Sequence, residues 1–215
     1  MPKPITTALI AAVAALAVPL GAATAPQTPG TRSTKAITGG LYQADPAHTQ
    51  VVWTVDHLGF TPYSGMFGNV TGTLQLDPKH LATAKVDVSI PVAEVTTTSP
   101  GLTAHLLRAA KEAGGKPDFF GPAPAPARFV STKVKVIGNG RASIAGQLTL
   151  NGVTKPVVLE TTFFGAGKMP AAMGGKENVG FTARATIMRS DYGLMTALPM
   201  VPDAVTLDIA AAFQK

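Results

Sequence analysis

Four histidines are the side chains of this sequence best suited to acid–base or metal chemistry: His48, His57, His80 and His105. His48 and His57 stand an odd number of residues apart, so on an unbroken strand they face opposite ways and cannot share a metal. There is no cysteine and no His-Glu-x-x-His helix. Asp56 and His57 are adjacent and project to opposite faces, so they do not form a catalytic pair. No serine occupies a Gly-x-Ser-x-Gly elbow. Gly65, Gly68 and Gly72 resemble a phosphate-cradling glycine motif, but they lie along a strand and no helix N-terminus follows. Close strand packing or barrel corners account for them. His57 is the one inner-face group with chemical potential, and it reads as a buried, hydrogen-bonded structural histidine. No catalytic residue, metal ligand or cofactor is therefore assigned. The chain reads as a binding protein rather than an enzyme.

The elements that position these residues are strands. From His48 to Asp77 the chain reads as two strands joined by a Gly/Pro-containing link. Val51, Trp53, Val55 and His57 share one face, and Val52, Thr54 and Asp56 the other. That period of two is a sheet signal. Eight strands are expected, at about 50–58, 65–76, 84–94, 127–138, 141–150, 156–165, 178–190 and 203–214. Phe129 and Val134 have opposite parity, which predicts a bulge near Ser131 and Thr132. Asn139-Gly140 and Asn151-Gly152 predict tight hairpins. One helix is expected over Pro100 to Ala113, capped by Ser99. A Pro-rich loop follows it.

The chain has 215 residues, of which 46% are hydrophobic and only 14% charged. That is enough for one domain with a real core. Its formal net charge is +6, but the lysines and arginines are dispersed along the sequence and read as solvated sheet faces. No basic cluster is interleaved with aromatics, so nucleic acid is not an expected partner. Lys3, then an apolar run from Ile5 to Val18, then small residues, reads as a signal peptide over 1–23, with cleavage near Ala23. Residues 24–40 read as a disordered Pro/Thr/Gly linker, Tyr42 to Pro46 as a lead-in turn, and 41–215 as the domain. An exported protein without disulfides suits a periplasm.

Antiparallel strands with one apolar face must stack as two sheets or close into a barrel. An eight-stranded barrel is just wide enough to be filled by side chains or to hold one small ligand. The residues assigned to its inner wall are Val51, Trp53, Val55, His57, Phe67 and Val86. Val88, Leu148, Phe163, Phe181, Ala183 and Ile209 complete the set. Ala183, Ala185, Ala211 and Gly146 are small residues on that face and leave room, although filled barrels also alternate large and small.

Residues 45–77, AHL at 104–106, DFF at 118–120, PARFVSTKV at 126–134, GQLTLNGVTKPVVLE at 146–160, VGFTARATIMRSDYGL at 179–194 and the closing DAVTLDIAAAF carry a likeness. Together they resemble the YceI-like family of secreted bacterial proteins. The resemblance implies an extended eight-stranded antiparallel lipocalin-like barrel with a helix beside its mouth. It also implies a polyprenyl chain or quinone tail held in an apolar tunnel. Transient membrane contact follows as an expectation. The alternative is a filled barrel whose 99–126 loops dock a membrane redox partner of the cytochrome b type. The sequence departs from the family pattern where LRAAKEAGGKP separates His105-Leu106 from Asp118.

Overall fold

Alternation of apolar and polar residues produces strands along most of the chain. The computed structural model describes residues 28–215. The expected signal segment and residues 24–27 lie outside the described residues. In chain order come β1 (Gly30–Thr31), β2 (Gly40–Ala44), β3 (Gln50–His57), β4 (Thr61–Phe67) and β5 (Thr71–Leu76). Then follow β6 (Lys85–Ile90), β7 (Thr96–Thr97), α1 (Pro100–Leu106), β8 (Ala127–Gly138) and β9 (Arg141–Leu150). The last three are β10 (Val153–Lys168), β11 (Glu177–Met188) and β12 (Ala204–Gln214).

Eight strands close an antiparallel barrel in the order β2, β5, β6, β8, β9, β10, β11, β12 and back to β2. The closing strand is not the one expected. Tyr42 and its neighbours read in sequence as a lead-in turn, but β2 pairs with β5 on one side and with the end of β12 on the other. Tyr42 is fully buried, and its hydroxyl donates to Glu177 Oε1 at 2.5 Å. Burial, reinforced by that carboxylate, pushes its pKa up to about 12. The β3–β4 hairpin pairs with the other half of β12 and extends the wall at one end. The expected single strand 65–76 is broken at Gly68–Val70, because Val70 turns into the core there.

The expected linker also carries structure from residue 28. β1 pairs with β10, a 3₁₀ turn spans Thr34–Ala36, and Ile37 is buried against Tyr42, Leu74 and Phe213. Polar composition hid this, because one apolar anchor and a two-residue pairing leave no periodic trace. The expected helix stops at Leu106 rather than Ala113, with the Ser99 hydroxyl accepting from the Leu102 N–H at 3.2 Å. A helix this short is held by packing more than by propensity.

Local turn chemistry fell where it was expected. Asn139, Gly140, Asn151 and Gly152 all have positive φ, as two-residue primed turns require. The register of β8 against β9 shifts between Ser131 and Lys133, which is the bulge that parity demanded. Gly65 and Gly72 serve close packing. A Cβ on Gly65 would lie 2.2 Å from the Trp53 indole, and one on Gly72 would lie 2.2 Å from the Asp87 carbonyl oxygen.

The barrel has two distinct ends. At the helix end, the Phe120 N–H donates to Leu106 O at 3.0 Å, and Thr196 Oγ1 donates to Asp118 O at 2.6 Å. These bonds lay α1 and the 189–203 loop across the strands. The opposite end carries the β8–β9 turn at Asn139-Gly140.

Candidate ligand cavity

Inward-facing side chains of this barrel are apolar yet incompletely buried. Val51, Trp53, Val55, Phe67, Val86, Val88, Phe163, Phe181, Ala183 and Ile209 all keep accessible surface despite pointing to the barrel axis. A solid core would have covered them. The surface they keep faces one cavity of about 750 Å³. That is the upper part of the range for small-molecule sites. Both ends of the ten-residue β9 line it, from Arg141 to Leu150. Such a strand is about 30 Å long, which becomes somewhat more than about 20 Å along the axis at ordinary barrel tilt. The cavity is therefore elongated.

All twelve residues assigned to the inner wall line this cavity. Two of the four small residues do not. Ala185 packs into the helix-end core with Ile187 and Tyr192. Gly146 makes way for Phe129, whose ring would lie 2.3 Å from a Cβ there. Ala183 and Ala211 do border open volume.

His57 differs from the expectation of a buried, hydrogen-bonded residue. It is exposed, at the end of β3 beside the hairpin tip, with its ring 6.1 Å from that of Tyr63. Trp53 lies over Gly65, and its indole N–H is buried with no acceptor among the described residues. An unpaired donor of this kind costs about 1–3 kcal/mol. It is sealed from the cavity as well as from solvent, so it offers nothing to a ligand.

The sequence reading missed the residues at both ends of the cavity. At the helix end are Leu102, His105, Phe119 and Phe120. His105 Nε2 and Asp118 Oδ2 are 2.8 Å apart, and Arg108 donates to the same oxygen at 2.9 Å. His105 first, then Arg108, holds the Asp118 carboxyl at about 2. Arg189 also borders the cavity here. Its guanidinium is buried and donates to the carbonyls of Leu194, Thr196, Val201 and Pro202. These bonds fold the 189–203 loop around one cation. At the other end Thr34, Leu81, Val136 and Arg141 line the cavity. Val136 was legible in principle, because alternation resumes at Val134 after the bulge. Thr34 and Leu81 come from irregular segments and left no signal.

Among the described residues the lining has few polar groups and no convergent set of titratable side chains. Among the described residues no group of three or more His, Asp or Glu side chains is placed to hold a metal. The arrangement is suited to shielding an elongated apolar molecule from water.

Residues 42–213 match the YceI-like domain. The chain belongs to the YceI-like family. It is 35% identical over 164 residues to a UPF0312 protein of Pseudomonas fluorescens, covering 76% of this chain and 79% of that one. Among solved structures it resembles the YCEI protein of Campylobacter jejuni, with a TM-score of 0.58 and 28% identity over 70% of this chain and 84% of that one. BcnA of Burkholderia cenocepacia shares the fold with a TM-score of 0.61, 20% identity, and coverage of 79% of this chain and 98% of that one. A polyisoprenoid binding domain from Saccharophagus degradans also shares the fold. Its TM-score is 0.52, with 12% identity and coverage of 82% of this chain and 98% of that one.

Proposed function

We propose that this YceI-like protein binds a long isoprenoid lipid, or the tail of a quinone, and carries or sequesters it in the periplasm. The observation that carries this reading is the elongated apolar cavity, whose wall keeps accessible surface on residue after residue. The polyisoprenoid binding domain from Saccharophagus degradans, built on the same fold, supports the ligand class. An isoprenoid tail has no charge to pair, so an apolar wall suffices. Each buried CH2-sized group contributes about 0.8 kcal/mol. About ten such groups supply about 8 kcal/mol, the micromolar range, before the cost of immobilising the ligand. Length of contact, not any one polar bond, sets affinity. The role is binding rather than catalysis.

The test is organic extraction of protein purified from its host, with mass spectrometry of the extract. A co-purifying polyprenyl or quinone mass is expected, and an extract without one overturns the reading. Trp53→Ala removes the indole that closes the wall over Gly65 and is expected to reduce the lipid retained through purification. The redox-partner reading has no observation in its favour. No large hydrophobic side chain between residues 99 and 126 is exposed, and Leu106 and Phe120 turn inward.

A further inference from the structure

Lysines that are scattered along the sequence gather at one end of the barrel. The β6–β8 ladder runs only from Asp87↔Val130 to Ile90↔Ala127. Beyond it, Ser131 Oγ accepts from the Val86 N–H at 2.8 Å, the bulge intervenes, and the rest of β8 lies beside the Leu81–Thr83 turn instead of a strand. Leu81 and Val136 stand on the two lips of this slot and line the cavity. Leu81 is 37% exposed, Val136 44% and Ile137 49%. Around them lie Lys79 and Lys85 on one lip, and Lys133, Lys135 and Arg141 on the other. All five are exposed, and among the described residues none is in an ion pair. The nearby Asp77 is engaged by His80 at 2.9 Å.

The helix end has apolar tips too, with Phe60 85% exposed. Its cations, however, are largely offset. Arg108 and Lys111 meet Asp118, and Lys155 meets Asp191. Asp56, Glu94 and Asp203 add further negative charge at that end.

We propose that the hairpin end, through Val136, Ile137 and the surrounding lysines, docks on an anionic phospholipid bilayer and sets the slot against it as the port for lipid exchange. Apolar tips flanked by exposed cations on both lips match an interface that is negative outside and oily beneath. The exposed aromatic nearby, Phe164, has one face covered by the Arg32 guanidinium, and duplex DNA enters the test below as a competitor. The proposal rests on the lipid-binding reading for its purpose, but docking is measured without cargo, so the two can fail separately.

The experiment is co-sedimentation of the purified full chain with vesicles of phosphatidylcholine alone, or of equimolar phosphatidylcholine and phosphatidylglycerol. Binding is expected only to the anionic vesicles, with release at about 1 M salt. Each basic residue near such a surface contributes about fivefold, so Lys133→Gln with Lys135→Gln is expected to weaken partitioning about twenty-fivefold. Ile137→Asp is expected to weaken it about tenfold or more. Phe60→Asp and Arg108→Gln are expected to leave it unchanged. Circular dichroism and retained native lipid show that each variant is folded and that the carrier reading stands independently. The proposal is overturned by absence of anionic-vesicle binding or by loss on Phe60→Asp rather than Ile137→Asp. It is equally overturned by self-association through this end without vesicles, or by competition from duplex DNA that Ile137→Asp does not affect.

Discussion

Ala183→Leu distinguishes a hollow barrel from a filled one by the sign of a single stability change. Ala183 sits opposite Thr161 on β10 and Ile209 on β12, and its side chain borders the cavity. Leucine adds three carbons. Placed in open volume, they bury new apolar surface against Ile209 and the flanking phenylalanines. At about 0.8 kcal/mol per group the gain is at most about 2 kcal/mol. For a domain of this size that raises Tm by about 4–8 °C. Placed in a packed core, the same carbons cost about 1–3 kcal/mol through strained rotamers and displaced backbone. The assay is thermal unfolding of lipid-extracted protein followed by circular dichroism. A parallel mass-spectrometric measurement reads the lipid retained by the variant before extraction. The expected result is a stabilised barrel that retains less lipid, since side chain and ligand compete for one volume. A destabilised variant with undiminished lipid would refute the hollow-barrel reasoning.

Gly65→Ala places a methyl 2.2 Å from the Trp53 ring and 2.9 Å from Thr96 O. The indole must shift, and the emission spectrum of this sole tryptophan reports it. Arg189→Met leaves four carbonyls without their shared donor, and a loss of about 3 kcal/mol or more in urea unfolding is expected. The Asp118 carboxyl has a folded-state pKa of about 2 against an ordinary 3.8. Its contribution is therefore complete above about pH 4 and disappears as the pH falls towards 2. Asp118→Asn is expected to flatten that acid limb of the stability profile, read by thermal melts across the range.

Much of the wall was legible because strand sterics send alternate side chains to opposite faces, whatever the partner strand is. The inward set on β3, β9 and β12 follows from that alternation alone. The Asn-Gly turns were legible because positive φ at both central residues restricts which residues can stand there. The bulge in β8 was legible as a break in parity between Phe129 and Val134. The motif carried by GQLTLNGVTKPVVLE and its companions placed the chain in its family.

Closure of the ring was decided only by the fold. β2 is five residues long and pairs with strands that are near in space and distant in sequence. No local period marks such a partner. The same holds for Ile37, which anchors a polar segment, and for the helix that stops at Leu106, where packing rather than propensity sets the length. Charge is the clearest case. Along the chain the basic residues alternate with valines and look like any solvated face. Only the antiparallel path returns Lys79, Lys85, Lys133, Lys135 and Arg141 to one end, beside the slot where the β6–β8 ladder stops. Whether the inward face meets other side chains or open volume was likewise undecidable from residue types. The hollow depends on barrel radius and on which rings fill which glycines, as Phe129 fills Gly146 while Ala183 borders the cavity.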